Sequence, residues 1–233
     1  MDIIAIFYVQ NKNSVIKQIN SIIQQKIKID LLFILDNNDY IQFFSNYGIV
    51  VVTGTDSEEF LSRKYQMGYD QIKLHNYDYI IEINSDFYIN ENYIKICKEQ
   101  LIKNDIVGSN SYITYNLLNK SVHLNKIKNT GQLNNIIFCR CINKSFLDKI
   151  NWKIFNFNKN IDVFSYSQIY CNLQSANIHY LISCNIYKII NIISDKNIYN
   201  IFQSEILSNK IKNNIKTIIF PNINNFFNKK NIY

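Results

Sequence analysis

The chain has 233 residues, 47% of them apolar, and a formal net charge of +7. That length and apolar content supply one well-buried core without staples, so a single domain is the default. Five cysteines, Cys97, Cys139, Cys141, Cys171 and Cys184, lack the paired spacing of a zinc site or a secreted framework, and three dispersed histidines (His75, His123, His179) argue against a zinc hydrolase. The positive charge is a weak signal for nucleic acid or membrane, because the chain is saturated with Asn, Ile, Lys and Tyr and poor in Gly and Pro, as an AT-rich genome makes any protein.

The apolar start, Ile3 to Val9, is brief and lacks a basic flank, which reads as a first strand and not a signal peptide. Val15, Ile16, Ile19, Ile22 and Ile23 then recur at helical spacing. Leu31 to Leu35 is a second buried strand, ending in Asp36, and Ile49 to Val52 a third. Asp56, Ser57, Glu58 and Glu59 form a helix start, with Leu61, Tyr65, Gly68 and Ile72 along one face. Tyr79, Ile80, Ile81 and Ile83 make a fourth strand that stops abruptly at Asn84, Ser85 and Asp86. These three residues either face a ligand at the strand's carboxyl end or cap the next helix, Glu91 to Leu101.

Strand and helix alternating over short links predict a parallel, doubly wound sheet. No glycine-rich dinucleotide fingerprint and no P-loop occurs. After Asp105 the pattern changes. Ile106 to Gly108, Ser111 to Asn116 and Val122 to Ile127 read as short antiparallel strands, Ile136 to Ile142 as a clearer strand and Asn143 to Ile150 as a short helix followed by Trp152. Asp162 to Leu173 is a helix candidate, Ile178 to Ile193 a pair of strands or one bent strand, and Ile198 to Leu207 a further helix. Lys210, Lys212, Lys216, Lys229 and Lys230 follow with no acid among them, either a solvated tail or a surface for a phosphate-rich partner. No uninterrupted apolar run of about 18 residues occurs, which predicts a soluble, cytoplasmic protein without a transmembrane segment.

A parallel half ending in a strand plus acid, then a mixed half, resembles the GT-A glycosyltransferases, near family 2, and most closely the glycosyltransferase-like proteins of phages and large DNA viruses. Asn84-Ser85-Asp86 stands where that family has Asp-x-Asp. Lys64-Tyr65-Gln66-Met67-Gly68 is similar to the subgroup's Lys-Trp-Asn-Ala-Gly. Arg140 to Asp148, with Trp152 beyond, is similar to its Arg-x-Ile-Ser-Arg-x-Leu-Leu-Asp, although Ile137-Phe138-Cys139 replaces the preceding Gly-Ala-Gly. Ser194 to Tyr199 resembles its late Lys-x-x-Asn-Ile-Trp.

The resemblance implies an α/β GT-A-like fold over residues 1–208, with a mostly parallel, Rossmann-like nucleotide-sugar-binding half (1–108), a mixed acceptor-side half (109–208) and a basic tail (209–233). It implies metal-assisted, inverting transfer of a sugar from a UDP-, GDP- or TDP-sugar to a hydroxyl of a glycan or a modified nucleic-acid base, in the host cytoplasm if the protein is viral. Asp86 would hold Mn²⁺ or Mg²⁺, with Asn84 and Ser85 beside it. Phe7, Tyr8, Val9 and Asp36 would meet the base and ribose, and Lys64 or Arg140 the diphosphate. Asp162 would be the general base.

Each residue also has a plainer reading. Asp162 is an N-cap, Asp36 a turn acid, Lys64 a solvated helix lysine, Arg140 the partner of a nearby carboxylate, Trp152 a core anchor, and Cys139 and Cys141 packing residues of one strand face. A glycosyltransferase-like binding protein without turnover is the alternative function.

Overall fold

The computed structural model describes residues 2–9, 12–23, 25, 27–54, 61–83, 87–89, 91–109, 111–116, 122–127, 138–155, 176–180, 186–190 and 202–206. The elements in chain order are β1 (Ile3–Tyr8), α1 (Lys12–Ile23), β2 (Asp30–Leu35), α2 (Ile41–Phe44), β3 (Ile49–Val52), α3 (Leu61–Lys73), β4 (Tyr79–Ile83), β5 (Phe87–Ile89), α4 (Tyr93–Leu101), β6 (Ile106–Ser109), β7 (Ser111–Asn116) and β8 (Val122–Ile127). After these come β9 (Phe138–Asn143), α5 (Lys144–Lys149), β10 (Ile178–Tyr180), β11 (Ile186–Ile190) and β12 (Phe202–Ile206).

A seven-stranded sheet in the order β10-β6-β9-β4-β1-β2-β3 forms the body. The runs of Ile, Leu, Val and Phe in β1, β2 and β4 have no polar alternation because helices cover both faces of the sheet. Along β1 the pleat sends Ile3, Ala5, Phe7 and Val9 into one core layer and Ile4, Ile6 and Tyr8 into the other. The first layer is closed by Val15, Ile19 and Ile22 of α1 and by Tyr93, Ile94, Cys97 and Leu101 of α4. The second is closed by Tyr65, Tyr69 and Ile72 of α3 and by Phe146 and Leu147 of α5. Each such fully buried Ile, Leu or Phe contributes about 1.5–3 kcal/mol. Ile23, placed by its spacing on the buried face of α1, is instead 65% exposed at the helix's last residue.

Strands β1 to β4 pair in parallel, while β9 runs antiparallel between β4 and β6. This is the mostly parallel α/β arrangement that alternating strands and helices predict. A second, five-stranded sheet in the order β12-β8-β7-β11-β5 adjoins it.

Two expectations change, and two open alternatives are decided. Ile198 to Leu207, read as a helix, contains strand β12: Phe202, Ser204 and Ile206 alternate with Gln203 and Glu205, and the segment pairs antiparallel with β8. Pairing along an otherwise open strand outweighs a weak helical spacing. Ile106 to Gly108 belongs to the large sheet and not with β7 and β8. The stretch from Ile178 to Ile193 holds two strands, one in each sheet. Helix α4 begins at Tyr93 with Asn92 at its cap position, and β5 intervenes, so Asn84 to Asp86 do not cap it.

Trp152 is a buried anchor held by an unusual helix end. Asn151 and Trp152 both take left-handed backbone conformations, with φ of 53° and 61°, and the Trp152 amide donates to the Leu147 carbonyl at 2.8 Å. The indole Nε1 donates to Asp148 Oδ1 at 2.8 Å, and that bond, more than the nearby Lys144, holds the Asp148 carboxyl below its ordinary value of 3.8. A carboxylate with a depressed folded pKa adds stability that is fully present above 3.8 and is lost as pH falls through the lowered value. Asp148→Asn is therefore expected to show a small stability deficit at pH 7 that closes as the pH falls below 3.8, checked by urea unfolding across that range.

Candidate functional site

Because β1, β2, β3 and β4 are parallel, their carboxyl ends share one edge of the sheet, where ligands of open α/β folds bind. Tyr8, Asp36 and Thr53 stand at that edge, and the three-residue link from Ile83 to Phe87 leaves it from the centre.

Asp36 is the hub. Its Oδ1 lies 2.6 Å from the Lys64 ammonium and accepts from the Thr53 hydroxyl at 3.4 Å, and its Oδ2 accepts from the Tyr8 hydroxyl at 2.6 Å. Lys64 also donates to the Tyr8 oxygen at 3.0 Å and lies over the Tyr8 ring, 4.9 Å from its centroid. Lys64 is thus a buried cation, 1% exposed, and not a solvated helix lysine, whereas the Asp36 side chain keeps 21% of its surface. The carboxylate has acceptor capacity left on the side that meets solvent. Asn37 and Asp39 shape the loop behind it through an Asx turn.

Phe7 and Val9 point to the opposite face. Phe7 is fully buried with its ring stacked on Phe33, centroids 5.7 Å apart, and Val9 is buried in the same layer. Of these three residues, Tyr8 alone shares a network with Asp36 and Lys64.

A second charged group lies deeper in the layer under α3. Arg140 of β9 is 2% exposed, and its Nη2 meets Glu82 Oε2 at 2.5 Å, while Tyr69 of α3 donates to Glu82 Oε1 at 2.5 Å. Arg140 is therefore the partner of a nearby carboxylate, one that the apolar run of β4 concealed. An acid inside a fully buried strand needs a paired cation, and Glu82 was legible on that ground. Thr53 and Tyr69 carried no comparable signal.

Cys139 and Cys141 are both buried in the layer under α4, and burial pushes the Cys141 thiol up, as befits an inert packing residue. Cys139 takes a left-handed φ of 47° at a break in the β6–β9 register, and the Tyr93 hydroxyl donates to its carbonyl at 2.5 Å. Such a backbone is one that favours glycine.

Asn84, Ser85, Asp86 and Asp162 lie outside the described residues. Among the described residues no group of three His, Cys, Asp or Glu side chains converges to hold a metal, and no helix is long and apolar enough to cross a membrane.

The sequence matches no family model and no curated protein. In three dimensions the chain is similar to Staphylococcus aureus TarS. All of the chain aligns with 76% of TarS residues 1–349 at 15% identity and a TM-score of 0.55. It aligns with 77% of the same fragment in complex with UDP-GlcNAc at 15% identity and a TM-score of 0.57. For the longer TarS structure, 86% of this chain covers 38% of that one at 13% identity and a TM-score of 0.56. At this identity the likeness establishes the GT-A type of fold.

Proposed function

We propose that the chain is a glycosyltransferase that takes a sugar from a nucleoside diphosphate sugar and passes it to an acceptor hydroxyl, with inversion and with help from a divalent cation. The observation that carries the reading is the convergence of Tyr8, Asp36 and Lys64 at the carboxyl edge of β1 and β2, beside the end of β4. The remaining acceptor capacity of Asp36 suits a ribose hydroxyl or a base N–H, and Lys64 and Tyr8 fix the carboxylate that would accept it. The similar fold of TarS in complex with UDP-GlcNAc supports a nucleotide-sugar donor and puts UDP-sugars first among UDP-, GDP- and TDP-sugars.

The three residues between Ile83 and Phe87 supply an amide, a hydroxyl and a carboxylate, all oxygen ligands. That chemistry fits Mn²⁺ or Mg²⁺, with Asp86 as the anionic ligand and Asn84 and Ser85 as neutral ones. Such a cation, when bound, offsets the charge of the departing diphosphate. Asp162 takes the acceptor's proton as general base. The acceptor is a hydroxyl of a glycan or of a modified nucleic-acid base.

One observation favours a second reading, a donor-binding protein without turnover. Phe87, directly after Asp86 in the chain, is a core residue of β5, set edge-on to Tyr112 with centroids 5.0 Å apart, and so adds no ligand. Together with the neutral Asn84 this leaves Asp86 as the one acid of the loop. Slow hydrolysis of UDP-, GDP- and TDP-sugars without acceptor separates the two: a transferase releases nucleoside diphosphate from one of them only with Mn²⁺ or Mg²⁺, and a binder releases none.

A further inference from the structure

The connection from β2 to β3 carries a surface that the donor site does not use. Among the described residues six large apolar side chains are exposed, and the two aromatic ones, Tyr40 at 41% and Tyr47 at 46%, both belong to this connection. Phe43, half-buried, stands between them in the chain, whereas the exposed Ile23, Leu74 and Ile102 are single aliphatic residues at or just past helix ends. Scattered single residues are ordinary, but a group of exposed rings is not.

The rings are also held in place. Phe44, fully buried with its ring centroid 4.7 Å from that of Phe33, takes Tyr40 edge-on at 6.5 Å and Phe43 edge-on at 5.1 Å, and Tyr47 packs on Phe43 at 5.3 Å. The Lys12 ammonium lies over the Phe43 and Tyr40 rings, 4.0 and 5.4 Å from their centroids. Rings that are exposed and yet fixed let a ligand stack on them with little ordering cost.

The exposed residues interleaved with these rings, Asn38, Asp39, Gln42 and Asn46, say what such a ligand is. Flat apolar faces bordered by amides and a carboxylate complement a sugar ring, which presents a face of C–H groups edged by hydroxyls that both donate and accept. The charges of Lys12 and Asp39 cancel, which suits an uncharged chain and not a polyanion such as nucleic acid.

Resting on the glycosyltransferase reading above for the kind of ligand, we propose that Tyr40, Phe43 and Tyr47 form a second binding site, for an uncharged glycan, outside the donor site. Tyr40 follows Asp36 by four residues, so the site begins near the donor edge and runs along α2 toward the start of β3. It holds a stretch of the acceptor chain remote from the hydroxyl that reacts, which keeps a polymeric acceptor on the protein for longer.

The test is binding of the native chain, Tyr40→Ala, Tyr47→Ala and the double variant to immobilised neutral oligosaccharides of glucose, galactose, mannose and N-acetylglucosamine, with oligothymidylate in parallel. The shift in melting temperature given by UDP, GDP or TDP with Mn²⁺ is read on the same samples. The native chain should bind at least one oligosaccharide, each alanine variant about tenfold more weakly and the double variant not detectably, while all three keep the native nucleotide shift. Tyr47→Phe, which keeps the ring, should bind as the native chain does, and Tyr47→Gln carries the test if an alanine variant does not fold. A native chain that binds none of the oligosaccharides, or variants that bind them as tightly as it does, overturn the proposal. Oligothymidylate binding that the alanine variants lose, in place of glycan binding, overturns it as well. If no nucleotide shifts the native melting temperature while glycan binding still depends on the tyrosines, the donor-site reading fails and this proposal stands.

Discussion

Asp36→Ala is expected to destabilise the chain by about 3–5 kcal/mol, the cost of leaving a buried charge without its partner. Lys64 is 1% exposed, and its ammonium lies 2.6 Å from Asp36 Oδ1, with the Tyr8 hydroxyl 3.0 Å away as a neutral contact. Removing the carboxylate leaves that ammonium in the layer between the sheet and α3 without its counter-charge. The reverse change should be much milder. Lys64→Met keeps the volume of the stem, removes the buried charge, and leaves Asp36 with the Tyr8 and Thr53 hydroxyls and its own solvent-facing surface. Combining Lys64→Met with Asp36→Leu should recover most of the stability lost in Asp36→Ala, because an apolar pair of similar size often replaces a buried ion pair at no net cost. With Asp36→Leu added as a single change, urea unfolding of it, of Lys64→Met and of the pair makes a double-mutant cycle, and equal, additive losses for the two single changes would contradict the account.

Gly48→Ala is expected to cost about 3 kcal/mol, at the upper end of what overpacking does. Gly48 closes the turn from α2 into β3, and its amide donates to the Phe44 carbonyl at 3.2 Å. A Cβ there would run into the backbone carbonyl of Leu31 on β2, and no rotation of a side chain relieves a clash with backbone. Strand β3 must then move away from β2, disturbing the register that sets Leu32 opposite Ile49. Thr53, which follows β3 and contacts Asp36, moves with it, so the variant should lose donor affinity as well as stability. By contrast, a Cβ at Gly68 meets Ile34 Cδ1 and Leu32 Cδ2, side-chain ends that can give way, and Gly68→Ala should cost less.

The parallel half of the fold was legible in the sequence because its signals are local and strong. β1, β2, β3 and β4 are short, β-branched apolar runs, and α1 and α3 show helical spacing that matches their buried faces. The mixed half was harder. β5 is three residues long and takes its place through pairing with β11, nearly a hundred residues later, which no local pattern reveals. β12 misled for the same reason, since its partner β8 lies far away in the chain. The site divides in the same way. Asp36 was visible as an acid directly after a buried strand, and its neighbours Tyr8 and Lys64 were drawn to the same region by resemblance. The fact that Lys64 grips Asp36 depends on the docking of α3 on β1 and β2, a tertiary fact. Glu82 was the signal to follow: a single acid inside the buried run Tyr-Ile-Ile-Glu-Ile calls for a cation, and Arg140 is a partner it finds.

The donor site is tested most directly by the thermal stability of the native chain and of Asp86→Ala against UDP, GDP, TDP and their sugars, each with and without Mn²⁺. A ligand present at a hundred times its dissociation constant adds about 2.7 kcal/mol to stability, a shift of several degrees for a domain of this size. The expected result is that one nucleotide family raises the melting temperature of the native chain only with metal, and that Asp86→Ala abolishes the shift. A native chain that no nucleotide stabilises, with or without metal, would contradict the donor site built from Tyr8, Asp36 and Lys64 and the function proposed from it.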